Sequence, residues 1–267
     1  MGKLYLGKRN KLSDTRTLKF EKYVSMIETP VEHLIDEIRC FLTKSQALPK
    51  APASLNDEEG IKDWTMMDND AVGDCTCAAA GHLIMAWTAM AKALIIPSAD
   101  QVLAAYEAIS GYNPANPQSD VGAACLSVLN YWKKTGIAGN QIGAFAELNV
   151  ENSGYIKDAL YLFNGVYIGL QLPLSAESQY SGGQPWSVTK GRNSWPGSWG
   201  GHCVPVVAYD ANYLYCVTWG GIQAMTWGFF DEYCDEAYCI IDPAYLVNGK
   251  TVEGFNLSQL QADLKAI

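Results

Sequence analysis

Cys75 ends the run Asn69-Asp-Ala-Val-Gly-Asp-Cys75 and opens an Ala-rich, largely apolar stretch over residues 75–94. A thiol in the first turn of a helix lies among backbone N–H groups that lack intrahelical partners, at the positive end of the helix dipole. Both favour the thiolate. A thiolate is the nucleophile of covalent acyl transfer. The same backbone amides can hold the oxyanion of a tetrahedral intermediate, with a side-chain amide as a second donor. Asn69, six residues upstream, carries such an amide. The alternative is a helix cysteine that only packs, and a cysteine at a helix start does not by itself decide between the two.

A thiol nucleophile needs a base, and the chain holds three histidines. His33 falls in an N-terminal helical pattern. His82 lies seven residues after Cys75, two helical turns and therefore about 10 Å away, beyond hydrogen-bond reach. His202 follows a glycine-rich loop and opens the apolar run His202-Cys-Val-Pro-Val-Val-Ala-Tyr209-Asp210, so a strand there presents its imidazole at a sheet edge. It is the candidate partner of Cys75.

Two kinds of element must bring these residues together. Spacing at three and four predicts helices over residues 75–94, 98–110, 122–134 and 153–163. Strand-like runs follow at 166–174, 202–210, 213–219, 224–233 and 238–242, with Ala211-Asn212 as a turn and residues 175–201 as a long Gly/Ser/Trp loop. Helices first and strands second predict an α+β domain. Ahead of it, residues 1–17 read as a basic extended arm, residues 17–41 as two short helices broken at Pro30, and residues 48–60 as a linker. The division is thus an N-terminal region over 1–60 and a main domain over 61–267.

Composition bounds the class. With 49% hydrophobic and 18% charged residues in 267, the chain is globular, and no apolar run of about 18 residues predicts a membrane span. The start has no apolar segment of the secretory type, so the eight cysteines are expected to be mostly reduced and buried. The net charge of −9 divides into ten Lys+Arg against six Asp+Glu over residues 1–50, and nine against twenty-two afterwards. A basic arm ahead of an acidic body suits docking onto that body or onto another subunit, and the acidic body makes nucleic acid a poor partner.

The motifs carry a resemblance. Asp63-Trp64, Asn69…Gly73-Asp74-Cys75 at a helix start, Gly201-His202-Cys-Val…Tyr209-Asp210 and Thr218-Trp219-Gly220 resemble the papain-like cysteine peptidase pattern. Bacteriocin-processing peptidases and uncharacterised papain-like proteins of phages and prophages look similar too. The resemblance implies a papain-like α+β fold, with a helical left domain carrying the nucleophile and a β-rich right domain carrying the histidine. It implies Cys75 as nucleophile, His202 as general base and acid, Asn69 as oxyanion donor, no cofactor or metal, and a peptide or protein substrate. An active site would then lie in a soluble protein of the cytoplasm, or of a virion if phage-encoded.

Departures accompany it. The oxyanion residue is Asn69, one methylene shorter than the family's Gln. Thr76 follows the nucleophile where the family has Trp, and alignment on Trp219 puts Val217 where the family's histidine-orienting Asn stands. Thr218 is the neighbouring candidate orienter, and Asn193, in Asn193-Ser194-Trp195, is another on the preceding loop. Residues 18–60 fit a propeptide lying through the cleft or an assembly arm. The rival class is a papain-fold structural or interaction protein without turnover.

Overall fold

The computed structural model describes residues 4–24, 50–56 and 60–241. Its centre is one eight-stranded sheet: β1 (Leu18–Lys19), β2 (Leu55–Asn56), β3 (Ala144–Glu147), β4 (Val166–Leu172), β5 (Gly200–Tyr209), β6 (Tyr213–Thr218), β7 (Gly221–Thr226) and β8 (Cys234–Ile241). The spatial order is β1-β3-β8-β4-β5-β6-β7, with β2 also on β5. Every pairing is antiparallel except β1 on β3.

Both faces are buried, and alternation sorts the side chains. Along β4, Val166, Ile168, Leu170 and Leu172 enter one core while Tyr167 enters the other; along β5, Val204 and Val206 oppose Cys203 and Val207. The second core is built on the helix Cys75–Met90, whose residues from Cys75 to Thr88 are all buried. A helix apolar all round must sit inside the molecule. Here the sheet covers one side, and the helices Ala99–Ser110 and Cys125–Lys134 share the core on the other. Ser98 and Gln101 cap the former with a reciprocal capping box. The helix Ser153–Phe163, capped by Asn152, packs on the first core.

The helices expected at 75–94, 98–110, 122–134 and 153–163 are all present, three of them shorter at an end. Several elements differ from expectation: the expected linker 48–60 holds β2, and β3 falls where no element was expected. Leu18–Lys19, expected as helix, pairs in parallel with Ala146 and Glu147, and among the described residues of that stretch the helix is Glu21–Val24. The loop expected at 175–201 contains the helix Leu174–Ser181. The strand expected over 224–233 ends at Thr226, whose hydroxyl accepts from the Phe229 amide and starts the helix Trp227–Tyr233. Residues 25–49, with His33 and most of the expected N-terminal helices, lie outside the described residues. The seven described cysteines are all free and buried. No helix among the described residues is long and apolar enough to cross a membrane.

The turn between β6 and β7 bears on the site. Trp219 and Gly220 form a two-residue hairpin loop, with φ of 45° and 75°. Hairpin turns of this kind need positive φ at both positions, which favours Asn-Gly and disfavours a tryptophan. The left-handed conformation costs a non-glycine residue about 1–2 kcal/mol. Aromatic packing holds it: Trp219 lies 4.7 Å from Tyr180 and 5.5 Å from Trp199 between ring centroids.

Candidate functional site

Three chain segments converge where β5 begins and β6 ends, inside the sheet and not at its edge. The first is the start of the Cys75 helix. The Cys75 thiol receives backbone hydrogen bonds from Cys203 and from Gly7, so it sits beside the residue that follows His202. The second is the beginning of β5 with the end of β6. His202 Nε2 lies 2.7 Å from Thr218 Oγ1. Its ring stacks on Trp219 at 4.5 Å and 15°. His202 Nδ1 is buried with no hydrogen-bond partner among the described residues. Val217 is buried next to Thr218 and supplies no hydrogen bond, so the orienting contact comes one residue later than the family alignment would put it.

The third segment is the chain's own N-terminus, which passes between the other two. The Lys8 amide donates to the Gly201 carbonyl at 3.0 Å, Ala123 donates to the Gly7 carbonyl at 2.8 Å, and Arg9 donates to the Ala123 carbonyl at 3.0 Å. Trp219 Nε1 donates to the Tyr5 carbonyl at 3.3 Å. Gly7 lies so close to Gly73 that a Cβ there would overlap the Gly73 carbonyl. The facing wall is fixed by Asp120, which accepts from the Gly73 amide at 2.9 Å and from the Tyr106 hydroxyl. The segment through the cleft is therefore residues 4–9, inside the arm expected over 1–17. Of the region 18–60, the described parts at 18–24 and 50–56 hold β1 and β2 in the sheet.

This strap closes the site to water. Cys75 and His202 are each 1% exposed. Burial pushes the Cys75 thiol up to about 12, against the two amide hydrogen bonds that favour its thiolate. Burial likewise pulls His202 down to about 3, with repulsion from His82 as a smaller cause. Under the strap both groups are neutral. Asn69 is also buried, its Nδ2 donating to the Val72 carbonyl at 3.2 Å and its amide lying against the Asp74 carboxyl. Burial holds that carboxyl well above the usual range.

Of the remaining candidates, Asn193 stands exposed on a short turn, Arg192–Ser194, and His202 Nε2 is held by Thr218 instead. His82 is buried in the Cys75 helix with Nε2 3.1 Å from the Thr65 carbonyl. Residues that the sequence did not single out are Gly7, which lies on the thiol, and Lys8, whose side chain runs into the sheet. A basic, aperiodic N-terminus gives no sign of the surface it will cover.

No family model matches the sequence, and no curated protein does. Solved structures do. Xylellain, a cysteine protease from Xylella fastidiosa, superposes with a TM-score of 0.61 at 15% identity, over 91% of this chain and 98% of that one. Procathepsin B S9 from Trypanosoma congolense gives 0.55 at 13% identity, over 89% and 86%. A recombinant stem bromelain precursor gives 0.50 at 16%, over 81% and 76%. At these identities the likeness is one of fold, and with the helix-then-sheet order and the cleft between them it shows that this chain has the papain-like α+β fold of cysteine proteases.

Proposed function

We propose that the chain is a cysteine peptidase or related amide hydrolase, held closed by its own N-terminal segment. The observation that carries the reading is the buried imidazole with Nε2 on Thr218 and Nδ1 unpartnered, one residue before Cys203, whose backbone amide reaches the thiol at the helix start. Once the strap leaves, water enters, the burial that keeps both groups neutral is relieved, and the helix dipole favours the thiolate.

Cys75 Sγ then attacks a peptide or amide carbonyl, forming a C–S bond while the carbonyl becomes an oxyanion. The Cys75 backbone amide holds that oxyanion, joined by Asn69 once its amide swings from the Val72 carbonyl. His202 takes the thiol proton and delivers it to the leaving nitrogen as the C–N bond breaks. Water hydrolyses the thioester, with His202 taking its proton and returning one to the thiol. Thr218 holds Nε2 and leaves Nδ1 free to meet the thiol once the strap has gone, the positioning task that a third residue performs in a triad.

A second reading has its own observation. Asn69 points inward and the strap fills the cleft, as in a papain-fold interaction protein without turnover, for example a virion component. The full chain carrying Gly7→Val, which forces the strap off Gly73, separates the two. Incubated with an unfolded protein substrate, it is expected to generate new termini, read by mass spectrometry, that the further substitution Cys75→Ala abolishes. Intact substrate throughout, with the strap shown to be displaced, would establish the interaction protein.

A further inference from the structure

Beside the thiol, the Lys8 side chain leaves the strap and enters the sheet side of the cleft. Its ammonium is fully buried, 2.8 Å from Asp235 Oδ2 and 3.0 Å from Glu236 Oε1, and the Glu236 side chain is fully buried as well. Gln171 Nε2 donates to the same Asp235 oxygen at 2.8 Å, and the Tyr238 hydroxyl donates to Glu236 Oε2 at 2.9 Å. Gly169 roofs the channel: a Cβ there would overlap Lys8 Cε and crowd Glu236. Burial alone would lower the Lys8 pKa, but the Glu236 and Asp235 carboxylates against its ammonium raise it instead.

These features describe a socket shaped and charged for one long cationic side chain. Its aliphatic stem has a slot made by a missing side chain, and its ammonium meets two carboxylates already oriented by Gln171 and Tyr238. The occupant reaches the socket through the backbone that covers Cys75. When the strap leaves, Glu236 and Asp235 lose their cation, and a cationic side chain entering the vacated slot restores the pair.

We propose that this socket is the main specificity pocket of the peptidase and selects a lysine side chain in the substrate, with Lys8 as its built-in occupant. The inference rests on the reading of Cys75 and His202 given above and deepens it: the substrate class is a lysine-containing peptide or unfolded protein. Glu236 and Asp235 are its specificity-determining residues.

Binding and turnover test the two readings separately. The full chain with Gly7→Val and Cys75→Ala cannot turn over, and a labelled peptide Leu-Tyr-Leu-Gly-Lys-Arg-Asn-Lys, the sequence of residues 4–11, reports binding by fluorescence anisotropy. The same peptide with norleucine at the Lys8 position is expected to bind at least 30-fold more weakly. Glu236→Gln should reduce that discrimination to a few-fold. Equal binding of the two peptides overturns the proposal.

Turnover by the Gly7→Val chain on a peptide mixture is expected to enrich lysine at one fixed position from the cut. Cleavage with no lysine preference overturns the pocket and keeps the peptidase. Lysine-dependent binding without any cleavage overturns the peptidase and keeps lysine recognition.

Should Gly7→Val not fold, Lys8→Ala in the full chain supplies the test, since it removes the equivalent of propylammonium from the slot. Added propylammonium is then expected to raise Tm where propanol does not, and the difference should vanish with Glu236→Gln. No difference between the two additives overturns the proposal.

Discussion

His82 and His202 are equally hidden, at 3% and 1% exposed, and burial lowers both, to about 4 and about 3. Their surroundings separate them. His82 sits in mid-helix with backbone carbonyls of Thr65 and Trp64 about its ring and the Trp64 ring edge-on at 6.1 Å. His202 has one nitrogen on a hydroxyl and the other without a partner, and its flat face lies against Trp219. Burial alone therefore does not mark a reactive group in this fold. The His82 ring, its nitrogen on a backbone carbonyl, braces the Cys75 helix against the loop before it, whereas the His202 ring keeps one nitrogen without a hydrogen-bond partner among the described residues.

Substitution should break the comparison most sharply. In the chain opened by Gly7→Val, His202→Ala is expected to lower turnover by at least about 10³-fold while leaving the fold intact. His82→Leu should do the reverse. It removes a buried hydrogen bond and lowers stability by about 1–3 kcal/mol in urea unfolding, with turnover of the folded protein within about threefold. Equal effects of the two on the rate would remove the distinction.

Thr218→Val, which keeps the shape and deletes the bond to Nε2, should lower kcat about 10–100-fold with little change in KM. Thr218→Ser should restore most of it. A valine variant with unaltered kcat would show that Trp219 stacking alone orients the ring.

A smaller effect lies in acid. A histidine whose folded pKa is depressed binds fewer protons than the unfolded chain, so stability is lost as pH falls from about 6.5 toward the folded values of about 4 and about 3. Each histidine contributes up to about 1.4 kcal/mol per pH unit in that window. Asp74 acts oppositely, because its raised pKa penalises the folded state above the ordinary carboxylate range. Asp74→Asn should therefore stabilise the protein at neutral pH, lose that gain below about pH 4, and steepen the acid dependence between. Urea melts across pH 4–7 measure this, and parallel curves for the two proteins would contradict it.

How far the sequence reaches can be judged residue by residue. The helix that Cys75 opens was legible because an Ala-rich apolar run after Gly73-Asp74 allows little else. The strands that carry His202 and Thr218 were legible as apolar runs of strand length separated by a turn, whereas Thr218 as a partner of the ring came only from alignment with the papain-like pattern. Leu18–Lys19 was not, since its strand exists only through pairing with residues more than a hundred positions away. The helix Trp227–Tyr233 is short, with aromatic residues that suit a strand equally, and the Thr226 cap decides it. The strap was hidden for a related reason: the carboxylates that receive Lys8 lie 227 and 228 positions later in the chain, and a lysine in a basic arm reads as solvated.

The central claim is that Cys75 and His202 form a reactive pair that residues 4–9 keep switched off. Its most direct test is iodoacetamide labelling of Cys75 against pH, read by peptide mass spectrometry, in the wild-type chain, in Gly7→Val and in Gly7→Val with His202→Ala. The other described cysteines, all buried, report whether the fold is intact by staying unlabelled. The account predicts protection of Cys75 in the wild type, and labelling in Gly7→Val with an apparent pKa well below the ordinary ~8.5 that rises when His202 is lost. A Cys75 that reacts in the opened chain as an ordinary thiol, identically with and without His202, would contradict it.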